Sequence, residues 1–334
     1  MRERNQWNGA RWTAGDPRGH YESWFQRANH PTRPLAFWNR YTIFSPAGRP
    51  RDGLGELWAI YFDGEQRQIT AVKEEHSIRE CRFAKSELEA RIATSTLDAS
   101  SLRGSASTGD DRIDWSLKYA GGGPPLLTFD RPLYGFRIPK AKALVGTPNA
   151  VYTGRLTVND ETHEIDGWVG SQNHNWGEEH TEKYAWGQVA GFDEDPDSFL
   201  EVGSGQIKIG PVLSPSITVL VLRIDGEEHA FNTIQTGLRA HGEYDFFRFA
   251  FETGDDDISI SGNIAAAAHD FVGLPYYNPP GGTKTCLNSK IARCDLTIRR
   301  KGRAPQTLST RHRAAFEILT DLDDHGVPVL DPRA

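Results

Sequence analysis

The chain has 334 residues, with 38 Lys plus Arg against 45 Asp plus Glu and a formal net charge of −7. Its length predicts two domains or one large one, at roughly 100–200 residues per domain. The interspersed charge offers no basic face for nucleic acid, and no apolar run approaches the ~20 residues of a spanning helix. Peripheral contact with a membrane stays open. The opening "MRERNQWNGARWTAGDPRGH" lacks an apolar signal core, and Cys81, Cys286 and Cys294 form no CxxC pair. Both features predict a cytoplasmic protein with reduced thiols. Residues 1–18 read as a polar, flexible segment, with Trp7 and Trp12 as its apolar anchors.

Beyond this segment the pattern is mostly of period two. In "LAFWNRYTIF", Leu35, Phe37, Tyr41 and Ile43 alternate with Ala36, Trp38, Arg40 and Thr42, which is strand spacing. "ELWAIYF" and "RQITAV" flank Asp63-Gly64, a pair that tight hairpins favour. "KSELEARIA" carries the best helical signal and fits a strand equally well. Further strands are predicted in "RIDWSLKY", "AVYTGRLTV", "HEIDGWV", "KYAWGQVAGF", "FLEVGSGQIKI", "SITVLVLRI", "YDFFRFAFE", "ISISGNI" and "RCDLTIRR". The hairpin at Asp63 recurs at Asp225-Gly226, an offset of 162 residues, and the turn "TGDDRIDW" recurs as "TGDDDISI". Such an echo at about half the chain length points to a duplicated unit. Two all-β halves are expected, as antiparallel barrels or sandwiches, meeting near residues 145–165. The segment "GGGPPLLTFDRPLYGFRIPKAKALVGTPN" would then be the crossover.

Residues 170–188, "GSQNHNWGEEHTEKYAWGQ", hold two Asn, two His, three Glu and two Trp, more chemistry than a turn requires. "NHNWGEEHTEKYAWGQ" resembles the second signature of tocopherol cyclases and carotenoid hydratases: a polar pair, Asn-Trp-Gly, a gap, then an aromatic strand with Trp-x-Gln. "HYESWF" at 20–25 is similar to their first signature, and "GRLTVNDETHEIDGWVGSQNHNWG" to the hairpin before the second. The resemblance is spread over most of the chain in the right order. It implies two tandem lipocalin-like antiparallel β-barrels, expected here at 19–150 and 151–334, with a site where they meet. It also implies hydration, cyclisation or isomerisation of a small lipophilic, isoprenoid-like molecule without a cofactor. Asn173-His174 stands where tocopherol cyclases have Glu-Lys and hydratases of the family carry Asp-His, so the acid is expected elsewhere.

Protonating an alkene needs a dry general acid and a surround that stabilises a cation. Glu22, among the aromatic residues of the first signature, fits: desolvation favours the neutral, proton-donating carboxyl. His174 is the candidate proton shuttle, and Asn173 and Asn175 the orienting amides. Trp24, Trp38, Trp176, Tyr184 and Trp186 would form the cation-stabilising wall, with Gln188 adding an amide. Aromatic residues also fill barrel cores, and His174 reads equally as a structural histidine between barrels. In an extended strand, Asn173 and Asn175 oppose His174 and Trp176, so one pocket receives both pairs only if a bulge intervenes, for instance at Gly177. The expected arrangement has residues 173–176 facing Glu22 across a cavity.

His174, Glu178 and His180 have the spacing H-x3-E-x-H, a poor match to two imidazoles on one helical face. No metal and no organic cofactor are expected. His269-Asp270 is an isolated pair, and no G-x-S-x-G supports a serine hydrolase. A barrel that carries a hydrophobic ligand unchanged remains the alternative to an enzyme.

Overall fold

The computed structural model describes residues 6–206, 208–209 and 212–331. It is 62% strand and 7% helix, as the period-two pattern predicts. The first half builds β1 (His20–Asn29), β2 (Leu35–Ser45), β3 (Leu54–Asp63), β4 (Gln68–Ser77), β5 (Cys81–Phe83) and β6 (Glu89–Ile92). It continues with β7 (Ser95–Asp98), β8 (Ser101–Thr108), β9 (Asp111–Gly121), β10 (Leu126–Leu127), β11 (Ala141–Val158) and β12 (Glu161–Gly177). The second half builds β13 (Lys183–Ala190), β14 (Phe199–Gln206), β15 (Lys208–Ile209), β16 (Val212–Leu213), β17 (Ile217–Ile224) and β18 (Glu227–Phe231). Then come β19 (His241–Tyr244), β20 (Arg248–Gly254), β21 (Ile258–Ala265), β22 (Val272–Tyr277), β23 (Thr283–Arg300) and β24 (Gln306–Thr320). "KSELEARIA" contributes the strand β6, the second of its two readings.

The strand orders are β4-β3-β2-β1-β12-β11-β9-β8-β7-β6-β5 and β18-β17-β14-β13-β24-β23-β21-β20-β19. The places of β1 to β4 in the first sheet are those of β13, β14, β17 and β18 in the second, and β11–β12 matches β23–β24. The two Asp hairpins fall at equivalent corners, β3–β4 and β17–β18. At the second, Asp225 (φ 56) and Gly226 (φ 78) take the left-handed conformation of a two-residue turn. The two "TGDD" turns also occupy equivalent corners, β8–β9 and β20–β21. The sequence echo is therefore a repeat of topology. Thr108 helps close the first barrel, accepting from Lys73 N at 2.8 Å and donating to Lys73 O at 2.9 Å.

The change of sheet does not fall at 150/151. β12 pairs with β1, and β11 with β12 and β9, so the first sheet runs to Gly177 and the link to the second is residues 178–182. The reason is the edge of β1: without β12 its backbone groups on that side would lack a partner. The Pro/Gly-rich segment enters the first sheet through β10 and β11 and is not the crossover. The N-terminal segment also differs from the expectation of flexibility, over its described residues 6–18. Trp7, Asn8 and Ala10 are buried, and Ala10 N donates to Ala84 O at 2.8 Å. Residues 1–5 lie outside the described part.

The three largest apolar clusters among the described residues follow from strand alternation. Trp24, Phe37, Tyr41 and Tyr152 fill the first barrel. Phe249, Phe271 and Phe316 fill the second. A third, with Phe25, Trp38, Trp58, Tyr276 and Leu319, lies between the barrels. β1 thus buries both faces: Trp24 looks inward and Phe25 toward the other barrel. Among the described residues, no helix is long and apolar enough to cross a membrane.

Candidate functional site

Between the barrels lies a cavity of about 180 Å³. Its walls combine the rings of Phe25, Tyr184, Trp186 and Tyr276 with the polar side chains of Arg40, Asn173, Asn175, Glu201 and Glu317. Tyr184, Trp186 and Gln188 share one face of β13 because they are two residues apart. Glu201 lies opposite Gln188 on β14.

Glu201 is 3% exposed, and its oxygens take hydrogen bonds from Trp186 Nε1 (2.9 Å), Gln188 Nε2 (2.8 Å) and Thr128 Oγ1 (3.3 Å). Burial pushes its carboxyl up to about 7, against these three hydrogen bonds and the Arg27 charge, which favour the ionised form. The Gln188 amide is oriented unambiguously. Its Oε1 accepts from Arg27 Nε (2.8 Å), which only donates, so its Nε2 serves Glu201 and Asn173 Oδ1 (2.8 Å). Indole and amide N–H groups can only donate to Glu201. A proton on this carboxyl is thus left the Thr128 hydroxyl or the cavity as its acceptor.

A second polar group borders the cavity. Glu317 Oε1 accepts from Lys290 Nζ at 2.8 Å and Asn288 Nδ2 at 3.0 Å. Arg40 is 4% exposed, and its guanidinium stands 4.3 Å from the centre of the Tyr276 ring. His180 stacks on Tyr21, with ring centres 4.0 Å apart. Burial and the Arg40 charge push its imidazole down to about 3, so it is neutral at ordinary pH.

The residues singled out on β1 and β12 divide between the two faces of the first sheet. The β1–β12 ladder runs without a bulge from Tyr21↔Gly177 to Asn29↔Val169. Alternation therefore holds. Asn173 and Asn175 border the cavity, while Glu22, Trp24, Trp176 and the ring of His174 look into the first barrel. Glu22 meets His174 directly, Nε2 to Oε1 at 2.8 Å, with both side chains fully buried. Glu22 also accepts from His20 Nε2 (3.0 Å) and from the backbone N–H groups of Arg11 (2.8 Å) and Trp12 (2.8 Å). Burial alone would raise the Glu22 carboxyl, but hydrogen bonds from His174 and His20 hold it at about 2. It is an ionised carboxylate with its acceptor sites filled, not the neutral acid that desolvation alone predicts. His174 Nδ1 faces the Trp7 carbonyl at 2.9 Å, and the ring stacks on Trp24 with centres 4.8 Å apart.

Of the expected aromatic wall, Tyr184 and Trp186 line the cavity. Trp24 and Trp176 flank His174 inside the barrel, and Trp38 packs on Phe25 with ring centres 6.1 Å apart. Gln188 stands behind Glu201 as the hub of its hydrogen bonds. His174, Glu178 and His180 do not converge: His174 bonds Glu22, Glu178 pairs with Arg18 and Arg137, and His180 Nε2 bonds Tyr277 O at 3.2 Å. His269 and Asp270 form a loose contact of 3.6 Å in a short helical turn, with the imidazole half exposed.

Glu201, Arg40 and Glu317 were not singled out from the sequence. The available signal for Glu201 was a lone acidic residue between apolar neighbours in "FLEVGSG". A strand placing such a residue on a buried face demands hydrogen-bond partners from elsewhere.

No family model matches the chain. An uncharacterized protein of Mycobacterium tuberculosis, present in strains CDC 1551 and H37Rv, is 24% identical over 298 residues, covering 88% of this chain and 85% of that one. Among solved structures, an AttH-like protein of Nitrosomonas europaea superposes with a TM-score of 0.58 at 13% identity, over 94% of this chain and 95% of the other. Kievitone hydratase of Nectria haematococca gives 0.54 at 9% identity, over 91% and 89%. CghA with Sch210972 gives 0.54 at 13% identity, over 92% and 89%. What this chain shares with them is the fold over nearly its whole length.

Proposed function

We propose that this protein is a hydratase or cyclase that protonates a lipophilic unsaturated small molecule in the cavity between its barrels, with Glu201 as general acid. The observation that carries this reading is a dry carboxyl, held near 7, on an aromatic cavity wall. An acid with such a value is protonated often enough to donate at neutral pH and is strong enough to be useful. Kievitone hydratase, among the structures of similar fold, supports hydration as the reaction class. The likeness of the two sequence signatures to those of tocopherol cyclases and carotenoid hydratases supports the same chemistry.

In this mechanism the Glu201 proton adds to one carbon of an electron-rich double bond, and positive charge develops on the other. The faces of Trp186 and Tyr184 stabilise that charge, by ~0.5–2 kcal/mol each. Water, or a hydroxyl of the same molecule, bonds to the cationic carbon and returns its proton to the Glu201 carboxylate. The acid is regenerated and the addition balances. Asn173 and Gln188 position Glu201 through their shared amide contacts. The Glu22–His174 pair fixes β1 against β12 and ties down the N-terminal segment behind this wall.

The test is a comparison of lipid and terpenoid extracts from strains expressing wild-type protein and Glu201→Gln. The expected result is a product present only with wild type, and its unsaturated precursor retained by the variant. Identical extracts with the same ligand bound to both proteins would make the barrel a carrier.

A further inference from the structure

The fold treats two buried arginines differently. Arg27, on β1, is fully satisfied: Nε donates to Gln188 Oε1 at 2.8 Å, Nη1 to Asn29 Oδ1 at 2.8 Å, and Nη2 to Gln188 O at 3.3 Å. Arg40, on β2 beside Phe25 and Trp58, has no such set. Its Nε is buried without a hydrogen-bond partner, and no hydrogen bond or ion pair reaches its guanidinium among the described residues. What it has are ring faces, Tyr276 at 4.3 Å and Trp38 at 5.9 Å. Nearby carboxylates are already engaged by other cations. Glu317 takes Lys290 at 2.8 Å, and Glu56 takes Lys73 at 2.8 Å.

A guanidinium cannot shed its charge in a protein, and burying it without acceptors is costly. Arg40 borders the cavity, so the missing acceptor can be supplied from that side. A planar donor fork matches a planar pair of oxygens, and two parallel hydrogen bonds give both strength and orientation. Glu317 and Glu56 nearby add negative potential, which suits a single negative charge better than a doubly charged phosphate.

We infer that Arg40 anchors an oxyanion of the ligand, a carboxylate or an enolate at one end of an otherwise apolar, unsaturated molecule. This rests on the function proposed above and narrows its substrate class from neutral hydrocarbon to acidic amphiphile. Anchoring at Arg40 would fix which double bond reaches Glu201, the positioning on which a protonation step depends.

The test measures binding without turnover. N-Phenyl-1-naphthylamine fluorescence reports occupancy of the cavity, and decanoate or decanol displaces it at pH 7.5. Wild type is expected to bind decanoate at least about tenfold more tightly than decanol, the value of one charge-assisted hydrogen-bond pair. Arg40→Met is expected to bind the two equally and to keep a cooperative melt, because no hydrogen bond of the fold is lost with the guanidinium. Arg40→Lys keeps a charge without the fork, so its preference should be intermediate. Absence of preference in wild type, or an undiminished preference in both variants, overturns the inference. A preference that persists in Glu201→Gln keeps the anchor even if Glu201 proves to have no part in proton transfer.

Discussion

Trp186 donates its indole N–H to Oε1 of Glu201 at 2.9 Å, placing an aromatic face and a buried carboxyl on one patch of cavity wall. Gln188, two residues along the same strand, serves the other oxygen at 2.8 Å. The Trp-x-Gln of β13 is therefore a two-donor clamp on a carboxyl contributed by β14.

Removing that carboxyl should remove the reaction. Glu201→Gln is expected to lower turnover by at least about a hundredfold, the usual worth of a general acid, with ligand binding retained. In wild type, activity needs the protonated form, so the rate should fall as pH rises through about 7. Full activity in the glutamine variant would assign the acid to another residue.

Trp186→Phe keeps the aromatic face and deletes one donor. Because this hydrogen bond lowers the Glu201 value, its loss should move the alkaline limb of the rate profile to higher pH. A limb that stays in place, or moves downward, would show that the limb belongs to another group.

Stability should depend on pH through the same carboxyl. Its folded value is raised from 4.5 to about 7, so its stabilising contribution is complete below 4.5 and is lost as pH rises through 7. Glu201→Gln should therefore be more stable than wild type at pH 8, relative to pH 4, by about 1–3 kcal/mol. Urea unfolding at the two pH values measures this. Parallel behaviour of the two proteins would mean that folding does not raise the carboxyl's pKa.

Glu22 should behave oppositely. Its folded value is depressed from 4.5 to about 2, so its contribution is present above 4.5 and is lost as pH falls toward 2. Glu22→Ala leaves His174 and two backbone N–H groups without their acceptor, and a cost of about 3–5 kcal/mol is expected. Residues 6–12 should also become sensitive to protease at Arg11. A variant with native melting and a protected N-terminus, but no turnover, would return Glu22 to the reaction itself.

Gly170 is required by the closeness of β12 to β1. A Cβ there would stand 1.8 Å from the Arg27 carbonyl oxygen and 2.6 Å from Ala28 Cα. Backbone cannot swing aside as a side chain can, so Gly170→Ala is expected to cost more than about 3 kcal/mol in a denaturant melt. A loss below about 1 kcal/mol would show that the two strands can separate freely at this point.

The β content and both Asp hairpins were legible because they rest on local patterns. Alternation at period two announces a strand wherever one face is buried, and the Asp-Gly pair announces the corner that joins two strands. At Asp225-Gly226 it forms the expected two-residue left-handed turn, whereas Asp63-Gly64 opens a four-residue loop, 64–67, whose left-handed residue is Arg67. Duplication was legible because the Asp-Gly pair recurs at equivalent corners, although the turns it makes there differ in length. Local pattern also predicted that Asn173 and Asn175 oppose His174 and Trp176 in an unbroken strand, and the bulge-free β1–β12 ladder closed the alternative of a bulge at Gly177.

Tertiary structure alone decided which of those faces meets the cavity and where one barrel ends. β12 belongs to the first sheet because β1 needs a partner for its backbone groups, a requirement no window of neighbouring residues expresses. The two carboxyls show the same limit. Glu22 was conspicuous among aromatic residues, yet His174, 152 positions away, and the Arg11 and Trp12 N–H groups hold it ionised. Glu201 was inconspicuous, yet Thr128, 73 positions away, and the clamp on β13 place it in a dry wall where burial wins. Sequence determines that a carboxyl exists and which side of its strand it takes. Its protonation depends on the balance between lost water and gained donors, and that balance is set by strands that meet only when the chain has folded.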